Sequence, residues 1–403
     1  MTPLSSSSAS AQSVAVTLLP IMVAVLAGFV IIGAALPVLP LHVNHDLGFG
    51  TIVVGLVAGA QFAASVLTRI WSGSYSDAHG GKRSVVLGLV AAAVAGLLYL
   101  LSLAFVSSPT TSVAILLIGR AVLGGAESFI ITGGVSWGLA MVDSGHAGKV
   151  IAWAGTAMFA ALAFGGPIGT MLFASHGFVA IGFATTLLPL LVLILLLRTP
   201  SLPISPASTK PTFRSVIGAV WMPGFGAASS SIGYCAILIF SSLLYANHGW
   251  QPVWLAFTAF GTALIVARGL FGHLPDKFGG ARIALVFVLV QSAGLLLMGL
   301  ARSSTIASVG AALAGLGYSL VYPGLGVEAV RSTSPESRGL AMGIYTIFLD
   351  VAMALGSPAL GWIADESGLS TVFLVSAGIT FCTVAIGFDL LRRSSQRQIL
   401  LRR

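Results

Sequence analysis

Six ionisable side chains lie inside long apolar stretches of this sequence, and they have the chemistry to bind protons and ions. A charge in such surroundings is costly, so it is seldom retained without a role. A carboxylic acid in a partly dry environment can hold a proton and release it later, and an arginine can pair with a carboxylate or an anionic ligand. The first candidates for function are therefore Arg69, Arg120, Glu127, Arg268, Glu328 and Asp350.

The acids Glu127 and Asp350 are the candidates for proton coupling. Arg120 precedes Glu127 by seven residues, so both lie on one face of a helix, about 10 Å apart along its axis. Arg120 is a candidate for contacting a substrate or for a structural ion pair. Glu127 could instead be a buried neutral acid without a coupling role. Asp350 has no cation near it in sequence, so its partner lies on another helix or the acid is protonated.

Two tyrosines and one of these acids have weaker signals. Tyr318 and Tyr345 are candidates for contacting a substrate in a cavity, although contact with lipid or with a neighbouring helix is an equal alternative. Glu328 stands three residues before Arg331, which predicts an ion pair at a helix end.

A charged pattern with glycines occurs twice, 199 residues apart. Its aspartate can cap a neighbouring helix and accept hydrogen bonds from Arg or Lys, and its glycines allow a tight turn. The pattern predicts a gating hairpin that latches helices together, although the aspartates could also be simple loop charges. We expect its arginines to extend toward the hairpin or to pair with a carboxylate there, and a substrate role is the alternative. The first copy comprises Arg69, Gly73, Asp77, Gly80, Lys82 and Arg83, and the second comprises Arg268, Gly272, Asp276, Gly279 and Arg282.

Glycine and proline also occur at matched places in two apolar stretches. They predict hinges, or alternatively packing kinks, because proline bends a helix and glycine permits close approach. The hinge candidates are Gly166, Pro167, Gly169, Gly356 and Pro358.

The composition requires lipid around most of the 403-residue chain, which is 57% hydrophobic and only 7% charged. Soluble proteins carry about 25% charged residues. A helix needs about 20 apolar residues to cross a bilayer. The predicted fold is an all-α membrane protein with twelve transmembrane helices in two pseudo-symmetric six-helix halves. The windows are 16–39, 51–74, 84–106, 112–140, 150–174, 177–198, 216–245, 252–274, 283–301, 304–330, 338–364 and 370–391.

Basic residues concentrate on one side of this predicted topology. Fifteen of the 19 Lys and Arg residues fall on the side that holds both termini and the hairpins, whereas Arg302 alone falls on the opposite side. By the positive-inside rule, both termini are cytoplasmic. The net charge of +8 therefore reflects topology and anionic lipid rather than a nucleic-acid partner.

A polar segment with four prolines divides the chain into two related halves. Residues 125–129 align with 316–320 at an offset of 191. Two such repeats with a substrate near the midplane are a known transporter plan. The predicted parts are a disordered tail 1–13, an N-terminal half 14–198, a cytoplasmic linker 199–215, a C-terminal half 216–391 and a basic cytoplasmic tail 392–403.

The segment from Gly73 to Arg83 resembles the loop 2–3 signature of the major facilitator superfamily, G-x-x-x-D-R-x-G-R-K/R-K/R. Arg120-Ala-Val-Leu-Gly124 resembles the span-4 motif of that family, and Gly165-Gly-Pro-Ile-Gly169 resembles a reduced span-5 antiporter motif. The resemblance covers the whole chain and implies the twelve-helix fold of the family. More narrowly, GRAVLGGAESF around Arg120 and YTIFLD at 345–350 resemble the YhhS/YfcJ group of arabinose-efflux-type permeases.

The first hairpin departs from the family signature at Ala78 and Gly81, where the family has arginines. The resemblance implies that those arginines join a charge network that steadies the outward-facing state. That network must be thinner here, or it must use Lys82, Arg83 and Lys277 instead.

These observations predict a monomeric secondary transporter of a small organic solute in the bacterial inner membrane. Alternating access with proton-coupled efflux is favoured by the reduced span-5 motif together with Glu127 and Asp350. Proton symport for uptake of a sugar or organic acid is the alternative, and a non-transporting receptor is less favoured.

Enzymatic and cofactor chemistry is not indicated. The apolar stretches contain no Ser–His or two-acid pair, so we expect no enzyme. A phosphate-binding loop and metal-ligand spacings are absent from the sequence, so we expect no cofactor and no metal. Cys235 and Cys382 are expected to be small buried hydrophobes.

Overall fold

The computed structural model describes residues 6–142, 147–196, 199, 213–331, 333 and 337–401, and these residues form helices and no strand. The prediction of an all-α fold is confirmed. Within these ranges, twelve long helices follow the twelve predicted windows: α1 (Ser6–Ala35), α2 (Thr51–His79), α3 (Gly81–Leu103), α4 (Pro109–Met141), α5 (Ala147–His176), α6 (Phe178–Leu196), α7 (Phe213–Asn247), α8 (Leu255–Phe271), α9 (Gly280–Gly299), α10 (Ser304–Arg331), α11 (Arg338–Ser367) and α12 (Leu369–Leu401).

Eleven helices in the described part of the chain are long and apolar enough to cross a membrane, so this is a multi-pass membrane protein. The apolar helix α8 has 17 residues and is shorter. It ends at Phe271, and a short helix, Leu274–Phe278, follows with Pro275 near its start. Proline cannot continue a preceding helix without loss of a hydrogen bond. The equivalent residue in the first hairpin is Ser76, and α2 accordingly runs unbroken to His79.

The chain divides into two compact units, residues 1–35 with 64–208 and residues 36–63 with 209–403. In the first unit, α3 packs against α4 and α6, and α1 packs against α5. In the second unit, α9 packs against α10 and α12, and α7 packs against α11. The same pairings therefore recur six helices later, as expected for a duplicated fold.

The units differ from the predicted halves in one respect, because residues 36–63 group with the second unit. A Cβ on Gly55 would lie 2.2 Å from the carbonyl oxygen of Ser357, and one on Gly59 would lie 2.9 Å from that of Ala354. The first part of α2 thus lies directly against the backbone of α11. Residues 200–212 of the predicted linker are outside the described residues, and α7 already begins at Phe213.

Two other features differ from the expectations. Helix α1 begins at Ser6, inside the predicted disordered tail, because no glycine or proline interrupts residues 6–19 and the helix can propagate through them. Residues 1–5 are outside the described residues. Cys235 is buried as expected, but Cys382 is exposed. It lies on a face of α12 that also carries the exposed rings of Phe381 and Phe388.

Candidate functional site

In the first unit, Arg69 of α2 lies among hydroxyl side chains of α2 and α4, here called the hydroxyl set. Arg69 Nη2 donates a hydrogen bond of 3.2 Å to Ser65 Oγ. The Oγ atoms of Ser65 and Ser128 are 3.1 Å apart, and Ser128 Oγ also donates to the Ser65 carbonyl at 3.0 Å. Two turns further along α2, Ser72 Oγ donates to Thr132 Oγ1 at 3.3 Å. These hydroxyls join the two helices and satisfy part of the guanidinium in apolar surroundings.

The side chain of Arg69 turns away from the hairpin, contrary to the expectation. It reaches Ser65, one turn back, whereas Asp77 lies two turns in the other direction. The reason is geometric, because Cα–Cβ bonds in a helix tilt toward its N-terminus. Asp77 is exposed near the end of α2. The side chain of Asp276, the equivalent residue, is outside the described part of the chain.

Glu127 of α4 directly precedes Ser128 of the hydroxyl set and is partly buried. This part of α4 adjoins α2, since a Cβ on Gly125 would lie 3.6 Å from Thr68 Cγ2. The structure therefore brings the predicted acid and the hairpin arginine Arg69 to the same contact between α2 and α4.

Arg120 is fully buried on α4 beside Tyr99 of α3. Its Nη1 donates to Tyr99 Oη at 3.4 Å, while Nε and Nη2 have no hydrogen-bond partner among the described residues. Buried donors without acceptors are costly. This position is therefore suited to receive an acceptor that the described chain does not supply.

The second unit surrounds its hairpin arginine with aromatic residues. Tyr234 of α7 and Tyr318 of α10 stack with ring centroids 4.6 Å apart and planes 6° from parallel. The ring centroid of Phe260 on α8 lies 5.7 Å from that of Tyr234 and 6.4 Å from that of Tyr318. The three rings are buried, and the Tyr318 hydroxyl lies 3.4 Å from Ser231 Oγ.

A further pair of tyrosines joins α10 to α11. The ring centroids of Tyr322 and Tyr345 are 5.1 Å apart, and Tyr345 Oη donates to the Tyr322 carbonyl at 2.6 Å. The Tyr322 hydroxyl lies 3.2 Å from Thr346 Oγ1. Both predicted tyrosines therefore belong to one group, here called the aromatic cluster, which consists of Tyr234, Phe260, Tyr318, Tyr322 and Tyr345.

Arg268 and Asp350 both act electrostatically on the aromatic cluster. Arg268 interacts with the hydroxyls of Tyr322 and Tyr318, and Asp350 interacts with that of Tyr318. Asp350 is 3% exposed on α11, whereas Arg268 is partly exposed on α8. The second predicted acid thus also shares a site with the hairpin arginine of its unit, and Tyr318 is within range of both charges.

Sequence reasoning missed the carboxylate of Asp365 at the end of α11. It accepts hydrogen bonds from the backbone N–H groups of Thr51 and Ile52, at 2.7 and 3.0 Å, and from Thr51 Oγ1 at 2.7 Å. Asp365 thereby caps the first turn of α2, whose N–H groups lack partners within the helix. A signal was present, because Gly361, Asp365 and Gly368 repeat the glycine–aspartate–glycine spacing of the hairpins.

Glu328 contacts Arg331 as predicted, and it also caps the N-terminus of α9, as Asp365 caps that of α2. Arg331 Nη1 lies 3.9 Å from Glu328 Oε1, which is a long contact. The same oxygen accepts a hydrogen bond of 3.2 Å from the backbone N–H of Ala281, in the first turn of α9. A carboxylate is favourable there because the N-terminus of a helix carries partial positive charge.

The paired glycines give both hairpins the same turn. Gly80 and Gly279 have φ of +88° and +93°, in the left-handed region that favours glycine. A Cβ on Gly81 would lie 2.4 Å from a backbone nitrogen of α4, and one on Gly280 would lie 2.2 Å from a carbonyl oxygen of α10. Each hairpin therefore starts a helix that packs against its neighbour at backbone distance.

The hinge candidates lie inside continuous helices. Helix α5 continues through Pro167, and α11 continues through Pro358. A Cβ on Gly169 would lie 2.1 Å from the carbonyl oxygen of Ala34, and one on Gly356 would lie 2.5 Å from Ile232 Cδ1. These glycines allow close helix packing, and their role as hinges stays a prediction.

Comparison with known proteins agrees with this architecture. The sequence matches the family model of the Major Facilitator Superfamily over residues 21–254 and 253–400. A relative from Salmonella typhimurium, described as an uncharacterized MFS-type transporter, is 37% identical over 95% of this chain and 98% of its own length. YhhS of Escherichia coli K12, described in the same way, is 34% identical over 91% of this chain and 90% of its own length.

Solved structures share the fold at low sequence identity. A D-xylose-proton symporter has a TM-score of 0.76 at 15% identity, covering 93% of this chain and 96% of its own. A bacterial homologue of the human lysosomal transporter Spinster has a TM-score of 0.74 at 15% identity, with the same coverage of 93% and 96%. At these identities the likeness concerns the fold alone.

Proposed function

We propose that this chain, which belongs to the major facilitator superfamily, carries a small organic solute out across a bacterial inner membrane in exchange for protons. Membership of the family makes it a membrane transporter. The charge bias of the sequence supports cytoplasmic termini and cytoplasmic hairpins. The protein works as a monomer, by alternating access of the solute site to the two sides of the bilayer.

Proton coupling is inferred from one observation, which is that an acid shares a site with a hairpin arginine in each unit. Glu127 adjoins the hydroxyl set that binds Arg69, and Asp350 shares Tyr318 with Arg268. The proton affinity of an acid falls when a cation approaches and rises when the cation withdraws or the acid loses its contact with water. Rearrangement of either site can therefore bind a proton on one side and release it on the other.

The other candidate residues have supporting roles in this proposal. Arg120 offers two buried donors to an anionic or carbonyl group of the solute. The hairpins at Asp77 and Asp276 latch the helices in one state, and α5 and α11 bend at Pro167 and Pro358 between states.

Proton symport for uptake of a sugar or organic acid is the second candidate. It is favoured by the fold likeness to a D-xylose-proton symporter, which is a likeness in architecture only. The same acids would serve symport, because the two mechanisms differ in whether proton and solute occupy the transporter together or in turn.

The experiment that tests the proposal begins with a growth-protection panel. A strain that overproduces the protein is compared with a deletion strain across small organic solutes. A solute that separates the strains is then used with proteoliposomes whose interior is acidic. Antiport drives solute inward as protons leave, whereas symport drives preloaded solute outward, so the direction of movement distinguishes the two.

Variants then test the two acids. We expect Glu127→Gln and Asp350→Asn each to abolish movement driven by the pH gradient, while Glu366→Gln, an exposed acid at the end of α11, retains it. If both variants respond to the gradient as the unaltered protein does, proton coupling through these acids is refuted.

A further inference from the structure

The first turn of α2 is held against the end of α11 by hydrogen bonds and by backbone contact. Besides the bonds to the Asp365 carboxylate, Thr51 Oγ1 donates to the Gly361 carbonyl at 2.7 Å. The residue before α2 is Gly50, which has no side chain to cap the helix, and a Cβ there would lie 2.9 Å from Asp365 Oδ2. Helix α2 therefore receives this cap from α11 and loses it if the two helices separate.

The two helices stay in contact for two further turns of α2. Gly55 lies directly on the Ser357 carbonyl, and a Cβ on Gly59 would lie 2.9 Å from the Ala354 carbonyl oxygen. Residue 358 is a proline, which has no N–H to donate to that carbonyl. A side chain on either glycine would hold the helices apart. The contacts of residues 51–59 with residues 354–365 are here called the α2–α11 contact.

Helix α2 belongs to both compact units of the chain. Its residues 51–63 group with the second unit and its residues 64–79 with the first. Sharp bends in helices occur at proline, at glycine or where a group is inserted, and α2 has no proline and no glycine between Gly59 and Gly73. The boundary between the units therefore falls in a stiff stretch of helix. When the first unit rotates against the second, residues 51–63 are carried along and separate from α11.

The place of the α2–α11 contact gives it a function in transport. It lies at the start of α2, at the opposite end of this helix from the first hairpin. Alternating access requires the solute path to close at one end while it opens at the other. We propose that the α2–α11 contact is a gate at the end away from the hairpins, and that Asp365 holds this gate closed. This inference rests on the alternating access of the proposed function, but not on proton coupling or on the direction of transport.

The surroundings of Asp365 suit a gate that opens repeatedly. The residue is exposed, so water can replace Thr51 and Ile52 as donors when the helices part. Exchange of such hydrogen bonds with water changes the free energy only modestly, whereas separation of a buried ion from its partners is strongly unfavourable. The carboxylate therefore favours the closed gate without locking it.

The duplicated helices α8 and α5 lack these features at the equivalent positions. Trp254 and Thr258 stand where α2 has Gly55 and Gly59, and Ala174 stands where α11 has Asp365. A tryptophan cannot admit a neighbouring backbone as a glycine does, and alanine has no acceptor for a helix N-terminus. The proposed gate residue is thus specific to α11.

The test is a distance measurement by pulsed EPR between spin labels on the full-length protein in detergent, without solute and without a pH gradient. The labelled cysteines replace Ser107, exposed in the loop before α4, and Arg302, exposed in the loop before α10. Both loops follow helices that start at a hairpin, so they lie at the ends away from the hairpins. The exposed Cys382 is changed to serine, and the buried Cys235 is kept. Opening of the gate appears as a population at longer distance.

Variants assign the effect to the gate. Asp365→Ala should raise the ratio of open to closed populations about tenfold, because three hydrogen bonds to the carboxylate are lost. Asp365→Asn should raise it only about twofold, since asparagine also caps helices. Gly55→Ala should raise it about tenfold or more, because its methyl group would overlap the Ser357 carbonyl. The controls are Glu366→Gln and Gly343→Ala, whose Cβ would meet nothing within 4 Å, and each should change the ratio less than about twofold.

Unchanged distances in both Asp365→Ala and Gly55→Ala would overturn the proposal, even if Asp365→Ala lowers stability, because Asp365 would then be a structural cap only. If Asp365→Ala does not fold, Asp365→Asn and Gly55→Ala decide. A shift of distances in a protein that ignores pH gradients would refute proton coupling alone. Gradient-driven movement of solute with unchanged distances in the variants would refute this gate alone.

Discussion

The two copies of one arginine lie in different chemical surroundings. Around Arg69 the helices present hydroxyls, whereas around Arg268 they present tyrosine and phenylalanine rings. The substitutions between the copies account for the contrast, because Ser65, Ser72 and Thr132 correspond to Leu264, Phe271 and Pro323. Duplication thus retained the cation and the helix pairings while the neighbouring side chains diverged.

The acids also stand on non-equivalent helices in the two copies. Glu127 on α4 corresponds to Tyr318 on α10, and Asp350 on α11 corresponds to Phe159 on α5. Each unit therefore keeps one acid near its arginine but supplies it from a different helix. In both units an acid therefore lies in the neighbourhood of the hairpin arginine, whereas the stacked tyrosines are described in the second unit.

The largest effect that can test this contrast is expected at the equivalent positions Glu127 and Tyr318. Glu127→Gln keeps the shape but cannot ionise, so transport driven by a pH gradient should fall about 100-fold or more. Tyr318→Phe keeps the ring, so coupling should persist with solute affinity lowered by about three- to tenfold. Gradient-driven flux and gradient-free exchange, measured in the same proteoliposomes, separate the two effects. Equal loss of coupling in both variants would erase the distinction between the units.

A smaller effect is expected at the end of α11, where Asp365 caps α2. The equivalent residue at the end of α5 is Ala174, so this cap exists in one copy only. Asp365→Ala should lower the free energy of unfolding by about 1–2 kcal/mol, because three hydrogen bonds to the carboxylate are lost. Thermal unfolding in detergent measures the change. Glu366→Gln is the matched control and should shift it by less than about 0.5 kcal/mol; a similar shift in both variants would contradict the cap.

The smallest effect is expected for the two equivalent serines, Ser128 and Ser319. Ser128 Oγ donates to α2, whereas Ser319 Oγ donates to Leu316 of its own helix at 2.6 Å. Ser128→Ala should therefore destabilise the protein by about 1 kcal/mol, and Ser319→Ala by less than about 0.5 kcal/mol. Unfolding midpoints of the two variants provide the comparison, and a larger shift in Ser319→Ala would mean that the hydroxyl set does not join the helices energetically.

Much of this fold follows from local sequence information. Apolar windows of about 20 residues, separated by glycine and charge, define helices without reference to tertiary contacts. The short α8 is also local in origin, since Pro275 separates it from the helix that follows. The membrane-buried acids were identifiable for the same reason, because a charge within an apolar window is visible in the sequence itself.

The missing part of the prediction concerns which residues meet across helices. That Glu127 lies beside the helix of Arg69, and that Tyr318 lies near both Arg268 and Asp350, depends on helix rotation and pairing. Neither the rotation of a helix nor its choice of neighbour can be read from the apolar windows. The tilt of Cα–Cβ bonds in a helix predicts that the Arg69 side chain points back toward Ser65. The expectation that it extends toward the hairpin rests instead on the tendency of long basic side chains to reach the membrane surface. The contact of Asp365 with Thr51 joins residues 314 apart and has no local signal beyond the spacing around Gly361.

The left-handed glycines of the two hairpins show that the shape of the turn is independent of the charges around it. Gly80 and Gly279 keep nearly the same backbone angle, although the basic residues that follow them differ between copies. Ala78 and Gly81 likewise replace the arginines of the family signature while the turn is retained. The turn therefore depends on the absence of a Cβ at these two positions, and it tolerates different charges beside it.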